Sequence, residues 1–259
     1  MRFAKAHAYG NDFLLVDERE ALSPEMVRRL CARHTGVGGD GVVLYGLVER
    51  TATMRLFNAD GSSSELSGNG LRCLAALIAQ RNSFSEGSLV SVETPAGTKS
   101  LELIAVAGSR YTFRTALGPP ADVRQLDIPV LGESVTASVL SVGNPQCVLL
   151  GALPDEDRFN RLGPALSTHP LFPAGTNVEF AHVEAPNRVR ILIWERGVGP
   201  TTSSGTGSAA AAVAAAAHGG AARDVDVIAP GGTQRVEWRK DGIYQTGWAE
   251  LVLEGTAYL

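Results

Sequence analysis

Short apolar stretches, many of them alternating with polar residues, fill most of this chain and predict strands. Arg2–Ala8, Asp12–Asp17, Val42–Leu47 and Thr53–Asn58 form a first group. Leu89–Glu93, Thr98–Ala105 and Arg110–Ala116 follow as a meander, with Pro95-Ala96-Gly97 and Ala107-Gly108-Ser109 as its turns. The theme returns in Ser134–Ser141, Gln146–Leu150, Asn177–Val183 and Arg188–Glu195. Val225–Ala229, Arg235–Trp238, Tyr244–Thr246 and Ala249–Tyr258 close the chain. Four stretches read as helices instead. Ser23–His34 opens Ser-Pro-Glu, a capping serine with proline in the first turn, and a helical stretch recurs at Pro154–His169. Leu71–Ala79 and Ser208–Ala217 are rich in alanine, the residue with the highest helix propensity.

Each alanine-rich run follows a tetrad of one type, Ser67-Gly68-Asn69-Gly70 and Ser204-Gly205-Thr206-Gly207. The tetrads lie 137 positions apart, and the same offset maps Asn58 onto Glu195 and Asp40 onto Asn177. At a slightly shorter offset Gly10-Asn11 maps onto Gly143-Asn144. Landmarks that keep one order and one spacing predict two related halves. Strands followed by a buried alanine helix, twice over, predict an α+β fold of two pseudo-symmetric domains, each a curved sheet or barrel around a central helix. The first domain is expected over 1–118 and the second over 119–249, with a connector running from Gly118-Pro119-Pro120 to Leu131. The last strand, near 250–259, is free to return to the first domain, and the active cleft is expected between the two.

Composition narrows the classes. Forty-four per cent hydrophobic residues can fill two cores, and a net charge of −4 without a basic stripe argues against nucleic acid. The longest apolar run, Ala209–Ala217, is about half a membrane span. The first nine residues lack the apolar core of a secretion signal, so a cytoplasmic protein is expected. Three widely spaced cysteines, Cys31, Cys73 and Cys147, make neither a disulfide framework nor a zinc site.

Glycine turns that open helices leave backbone N–H groups without partners, and such groups hold small anions. A carboxylate between two such turns would meet a hydroxyl from each side, Ser67 and Ser204. Polar residues gather around the tetrads where strands end: Asn11, Asn58, Asn144, Asn177 and the pair Glu195-Arg196. Asparagine beside glycine is also ordinary turn chemistry, and Glu195-Arg196 could be a structural ion pair. As a site, the arginine would take the carboxylate and the glutamate the ammonium of an α-amino acid.

Gly10-Asn11-Asp12-Phe13, Phe57-Asn58-Ala59-Asp60-Gly61-Ser62, Gly68-Asn69-Gly70-Leu71-Arg72-Cys73, Gly143-Asn144-Pro145, Phe172-Pro173 with Asn177, and Trp194-Glu195-Arg196-Gly197 with Gly205-Thr206-Gly207 run in order along essentially the whole chain. In these motifs the sequence resembles the diaminopimelate epimerase family. The resemblance implies two α/β domains around a central cleft, interconversion of LL- and meso-diaminopimelate without a cofactor on the route to lysine and peptidoglycan, and a homodimer. Pyridoxal phosphate is not required on this reading. The reacting carboxylate would lie on the N–H groups at Gly68-Asn69 and Gly205-Thr206. Asn11, Asn58, Asn144, Asn177 and Arg196 would hold the substrate, with Glu195 near its amino group.

In that family the two acid/base residues are cysteines immediately before the Gly-x-Gly turns, and a histidine commonly follows two places after the asparagine at 144. Here those positions are Ser67, Ser204 and Gln146. A free thiol titrates near ~8.5, whereas an alkoxide's acid is closer to water at ~15.7. Even if the gap is roughly 5 units, each base is worse placed by about 7 kcal/mol, so the serines do not replace thiols one for one. Cys73 falls inside the helix and reads as core, and Cys31 carries no hypothesis. Cys147 reaches the cleft only if its strand faces that way. The predicted function is diaminopimelate epimerisation, weakened by the serines. A related racemase or dehydratase and a non-catalytic amino-acid-binding relative are the alternatives.

Overall fold

In the computed structural model, residues 1–48, 51–64 and 67–258 are described, Val48 by its backbone alone. The chain divides into two compact units, Met1–Thr115 with Thr246–Leu259, and Ala116–Gln245. It leaves the first unit within one strand and returns within another.

The first unit opens with β1 (Arg2–Ala8), β2 (Asn11–Asp17), α1 (Pro24–Cys31), β3 (Gly41–Val48), β4 (Thr51–Asn58), β5 (Ser63–Ser64) and α2 (Gly68–Arg81), then β6 (Leu89–Thr94), β7 (Gly97–Ala107) and β8 (Arg110–Gly118). The second holds β9 (Ala121–Val130), β10 (Glu133–Ser141), β11 (Pro145–Leu150), α3 (Glu156–Ser167), β12 (Asn177–Ala185), β13 (Arg188–Glu195), β14 (Gly199–Thr201), α4 (Gly205–His218), β15 (Asp224–Ala229) and β16 (Gly232–Arg239). The long β17 (Gly242–Thr256) starts there and ends in the first unit.

Pairing repeats between the units. β1 is antiparallel to β2, β2 parallel to β3 across α1, β3 antiparallel to β4, β4 parallel to β6 across α2, and β6 antiparallel to β7. β10, β11, β12, β13, β15 and β16 pair in the same sequence of senses across α3 and α4. In the first unit β7–β8, β8–β17 and β17–β1 pairings close an eight-stranded ring. Strand alternation sends one face of each sheet inward. In the first unit that face packs on α2, through residues such as Phe13, Val43, Val92, Leu103 and Phe113. In the second, Val148, Ala181, Ile191, Ile193, Val227 and Ile243 pack on the alanines of α4. α1 and α3 cover opposite faces, in separate clusters.

A helix enclosed by a curved sheet has no polar face to offer, which explains why α4 is alanine from Ala209 to Ala212 and again from Ala214 to Ala217. No helix among the described residues is long and apolar enough to cross a membrane.

Two stretches differ from the sequence expectation. The connector at 119–131 is largely strand: β9 pairs with β10 through a Leu131-Gly132 turn, both residues at positive φ, as a two-residue hairpin demands. Ile128 and Val130 supply its buried alternation, which the Gly-Pro-Pro start obscures. Tyr244–Thr246 and Ala249–Tyr258 are one strand, unbroken at Gly247. That glycine marks close approach rather than a turn, since a Cβ there would stand 3.0 Å from Tyr9 Oη and 3.3 Å from Arg72 Cζ.

Ala211 is fully buried in α4 and Ala217 is exposed on the same helix. Ala211→Leu is expected to lower stability by about 1–3 kcal/mol through overpacking. Ala217→Leu should stay within about 0.5 kcal/mol of the parent. Urea unfolding of both variants measures the contrast.

Candidate active site

Each tetrad becomes the first turn of a helix, and its serine is the N-cap. Ser67 and Ser204 have extended backbones, at φ −125°, ψ 123° and φ −138°, ψ 131°. Each hydroxyl accepts the N–H three residues on: Gly70 N at 3.2 Å and Gly207 N at 3.1 Å. Leu71 N and Ser208 N bond the serine carbonyls. Helix geometry therefore leaves the N–H groups of Gly68 and Asn69 in one unit, and of Gly205 and Thr206 in the other, without intrahelical partners. The two helix starts are equivalent bond for bond.

Around the first, Asn69 is buried and links two neighbours: its amide donates to Asn11 Oδ1 at 3.1 Å, and its carbonyl accepts from Arg72 at 2.6 Å. Asn11 in turn donates to Asp40 Oδ2 at 2.7 Å. Asp40 pairs with Arg33 at 2.6 Å and its carbonyl accepts from Ala59 N, beside Asn58. Asn58 ends β4 opposite Gly41 and donates to Ser62 Oγ at 3.0 Å. Asn11 and Asn69 thus meet directly, with Asn58 joined to them through Asp40. Asp12 sits behind this network; burial pushes its pKa up, but bonds from Arg33 and Lys5 outweigh that and hold it below the usual carboxylate range.

Around the second, Asn177 is buried at the start of β12, and its Oδ1 accepts from Arg196 N at 2.9 Å. The Arg196 guanidinium donates to Ala174 O at 2.7 Å, and Glu195 is half-buried at the end of β13, opposite Gly199. Asn144 follows Gly143, which is at φ 82°, and lies within 2.7 Å of the Gln146 amide. One orientation of that amide satisfies its other neighbours: Nε2 donates to Glu179 Oε1 at 3.0 Å and Oε2 at 3.3 Å, and the carbonyl accepts from Thr206 Oγ1 at 3.3 Å. Asn144, Gln146, Glu179 and Thr206 are therefore gathered at the start of α4.

Four residues here escape the sequence reading. Gln234 donates to Ser203 Oγ, Ser204 O and Ser208 Oγ at 3.3–3.4 Å, and Gln245 donates to Gly205 O at 2.7 Å. These two buried glutamines hold the loop that carries Ser204. Arg72 is buried beside Tyr9 and fixes Asn69. Glu179 is fully buried, and burial, reinforced by the like charge of Glu195, raises its pKa well above the ordinary range. A charged residue in the apolar run Val178-Glu179-Phe180-Ala181 was the available signal.

The cysteines lie elsewhere in chemistry and in space. Cys73 is core beside α2's neighbours, and Cys147 faces the α3 cluster rather than the start of α4. Burial raises all three thiols, Cys31 to about 11. Among the described residues no three His, Cys, Asp or Glu side chains gather as a metal site.

A carboxyl whose folded pKa is raised keeps its proton after the unfolded chain has lost one, so it erodes stability as pH rises. The window opens near 4.5, the usual value, and closes at the raised one. Glu179→Gln, neutral and nearly isosteric, should gain on the parent across that window by at most about 1.4 kcal/mol per pH unit. Urea unfolding of both proteins from pH 5 to pH 8 checks the sign.

The sequence matches the family model described as diaminopimelate epimerase over residues 3–120 and 138–252. It is 41% identical to a diaminopimelate epimerase from Desulforudis audaxviator, covering 98% of each chain. A diaminopimelate epimerase from Desulfitobacterium hafniense is 38% identical, over 98% of this chain and 97% of its own. Among solved structures, a hydroxyproline epimerase from Agrobacterium vitis shares the fold with a TM-score of 0.71 at 16% identity, over 98% of this chain and 91% of that one. Identity sustained from end to end, on top of the paired helix starts, settles the relationship: the chain belongs to the diaminopimelate epimerase family.

Proposed function

We propose that this protein epimerises LL-diaminopimelate and meso-diaminopimelate without a cofactor, inverting one α-carbon by removing its proton on one face and returning a proton on the other. The observation that carries the reading is the pair of equivalent helix starts in a chain of this family, each with a serine hydroxyl beside two backbone N–H groups that have no intrahelical partner. The substrate carboxylate takes the N–H groups of Gly68 and Asn69 and of Gly205 and Thr206. As the α-proton leaves, negative charge spreads onto that carboxylate, and donors already aimed at it stabilise the change. Asn11, Asn58, Asn144, Asn177 and Arg196 hold the rest of the ligand, with Glu195 near its ammonium. Ser67 and Ser204 stand at the two faces as the proton-transferring groups. On the same reading the protein is a cytoplasmic biosynthetic enzyme that works as a homodimer.

One observation favours a second reading, a relative that binds the amino acid and no longer turns it over. Serine is among the best N-cap residues, so both hydroxyls have a structural use that needs no catalysis. Proton NMR in D₂O separates the two. Loss of the α-proton signal from LL- or meso-diaminopimelate, with the other isomer appearing, supports the epimerase. Binding without exchange over a day overturns it in favour of the second reading.

Ser67→Ala and Ser204→Ala should each abolish inversion while lowering stability by about 0.5–2 kcal/mol through the lost cap. Restoring thiols in a Ser67→Cys, Ser204→Cys double variant should raise the inversion rate by at least about 100-fold, given the nearer pKa of a thiol. Because the resident cysteines are buried and far from titrating, iodoacetamide should leave the parent's rate unchanged and inactivate that double variant.

A further inference from the structure

Ser204 has a difficulty that Ser67 does not. It is 4% exposed, whereas Ser67 is part-exposed, so water can serve the first-unit hydroxyl but hardly the second. A buried hydroxyl that gives or takes a proton needs a partner within the protein.

Glu179 is placed to be that partner. Strand alternation puts Asn177, Glu179 and Ala181 on the α4 side of β12, while Val178 and Phe180 pack toward α3. Glu179 thus lies under the first turn of α4, completely buried. Gly207 records how close it comes. A Cβ on that residue would stand 2.6 Å from Glu179 Oε1 and 3.1 Å from Ser204 Oγ, so the carboxyl and the hydroxyl face the same small space. Gly207 has no positive φ; its missing side chain is what admits both oxygens.

The equivalent place in the first unit is filled differently. A Cβ on Gly70 would meet Val43 Cγ2 at 3.4 Å and Ser67 Cβ at 3.5 Å. Val43 occupies on β3, toward α2, the position that Glu179 occupies on β12, toward α4. One half therefore carries an acid where the other carries a methyl group.

We propose that Glu179 is the proton reservoir of the second half-site, exchanging a proton with Ser204 Oγ as that hydroxyl exchanges one with the substrate's α-carbon. The inference rests on the epimerase reading. When the proton leaves on this face, the C–H bond breaks and its electron pair stays with the substrate. The proton goes to Ser204 Oγ, and the proton Ser204 already carried goes to the Glu179 carboxylate. In the return direction Glu179 gives its proton to Oγ while Oγ gives its own to the α-carbon. Ser204 is neutral before and after, so no alkoxide accumulates on it; the proton returned on the other face comes from Ser67 Oγ, which water re-protonates, and Glu179 releases its own proton to restore the free enzyme. Glu179 faces Ser204 across the space beside Gly207 and acts on the substrate only through that hydroxyl, which makes it a positioning residue with a proton of its own.

The surroundings suit that task. Gln146 bonds both oxygens of the carboxyl but cannot take up its proton, and Thr206 is neutral. Glu195 on β13 is the charged group that acts on it, and Cys147 lies on the far face of β11. Burial and Glu195 both favour the protonated form, so inversion should rise with pH as Glu179 ionises. The rise is the same in both directions, because the two proton-carrying forms of the free enzyme differ only in where one proton sits.

The test is the pH profile of inversion, in both directions, for the parent, Glu179→Gln and Glu179→Asp, with ligand binding followed by thermal shift. Glu179→Gln should bind the substrate as the parent does, invert it at least about 100-fold more slowly, and lose the rise with pH. One isomer should still exchange its α-proton without inversion, through Ser67. Glu179→Asp should keep the rise at a reduced rate, and it stands in if the glutamine variant does not fold. A rate within about threefold of the parent and an unchanged profile in Glu179→Gln overturns the reservoir alone, as does a Glu179→Asp variant with no loss of rate. Absence of inversion by the parent itself overturns the epimerase reading, and the reservoir with it.

Discussion

A helix buried inside a curved sheet must have both narrow sides and a satisfied start, and in this protein the second demand creates the chemistry. Alanine meets the first, letting strands close on α4 from β10 round to β17. The start cannot be satisfied by water alone, because Ser203, Ser204, Gly205 and Gly207 are buried. It is therefore built from side chains: the Ser204 hydroxyl on Gly207 N, Gln234 on the cap carbonyl, Gln245 on Gly205 O. Such a network is rigid, since breaking any member leaves a buried polar group unpaired. What it leaves over, two N–H groups and a hydroxyl in fixed positions, is what an α-carboxylate and its neighbouring carbon require.

The same demand bears on why serine can stand where the family resemblance leads one to expect cysteine. A hydroxyl caps a helix better than a thiol, being the stronger acceptor, and a cap is worth about 0.5–2 kcal/mol. As a base it is far weaker. The substitution therefore strengthens the scaffold and weakens proton transfer at the same atom. A scaffold with this bias needs help from a second group wherever transfer is kept, and the buried carboxyl beside Gly207 is in a position to give it.

Much of this was legible in the chain. The two tetrads, the alanine helices behind them and the asparagines at strand ends follow from turn chemistry, propensity and spacing, and the structure joins Asn69 to Asn11 directly. Those features are local, and local signals survive in sequence. Gln234 and Gln245 were invisible as site residues because their roles depend on which face of a strand meets α4, and nothing nearby in sequence reports that; Glu179 showed only as a charge in an apolar run. Gly247 misled for a related reason. Glycine punctuates turns far more often than it marks a close approach, and only the folded chain shows Tyr9 and Arg72 above it. The β9 strand was hidden by two prolines at its start, where proline is tolerated.

The duplication argues the last point. Backbone order, strand senses and cap geometry are held in common by the two units, so one requirement accounts for them: each closes a curved sheet on a helix whose start is capped by serine. Side chains packed against that start are not held in common. Val43 touches the place of a Gly70 Cβ, and Glu179 touches the place of a Gly207 Cβ at 2.6 Å, well inside van der Waals contact. Apolar packing explains the valine. It does not explain the glutamate, whose burial costs free energy that an amide or aliphatic residue would spare. An acid kept in that position, beside the hydroxyl that water reaches least, is accounted for by the proton it carries.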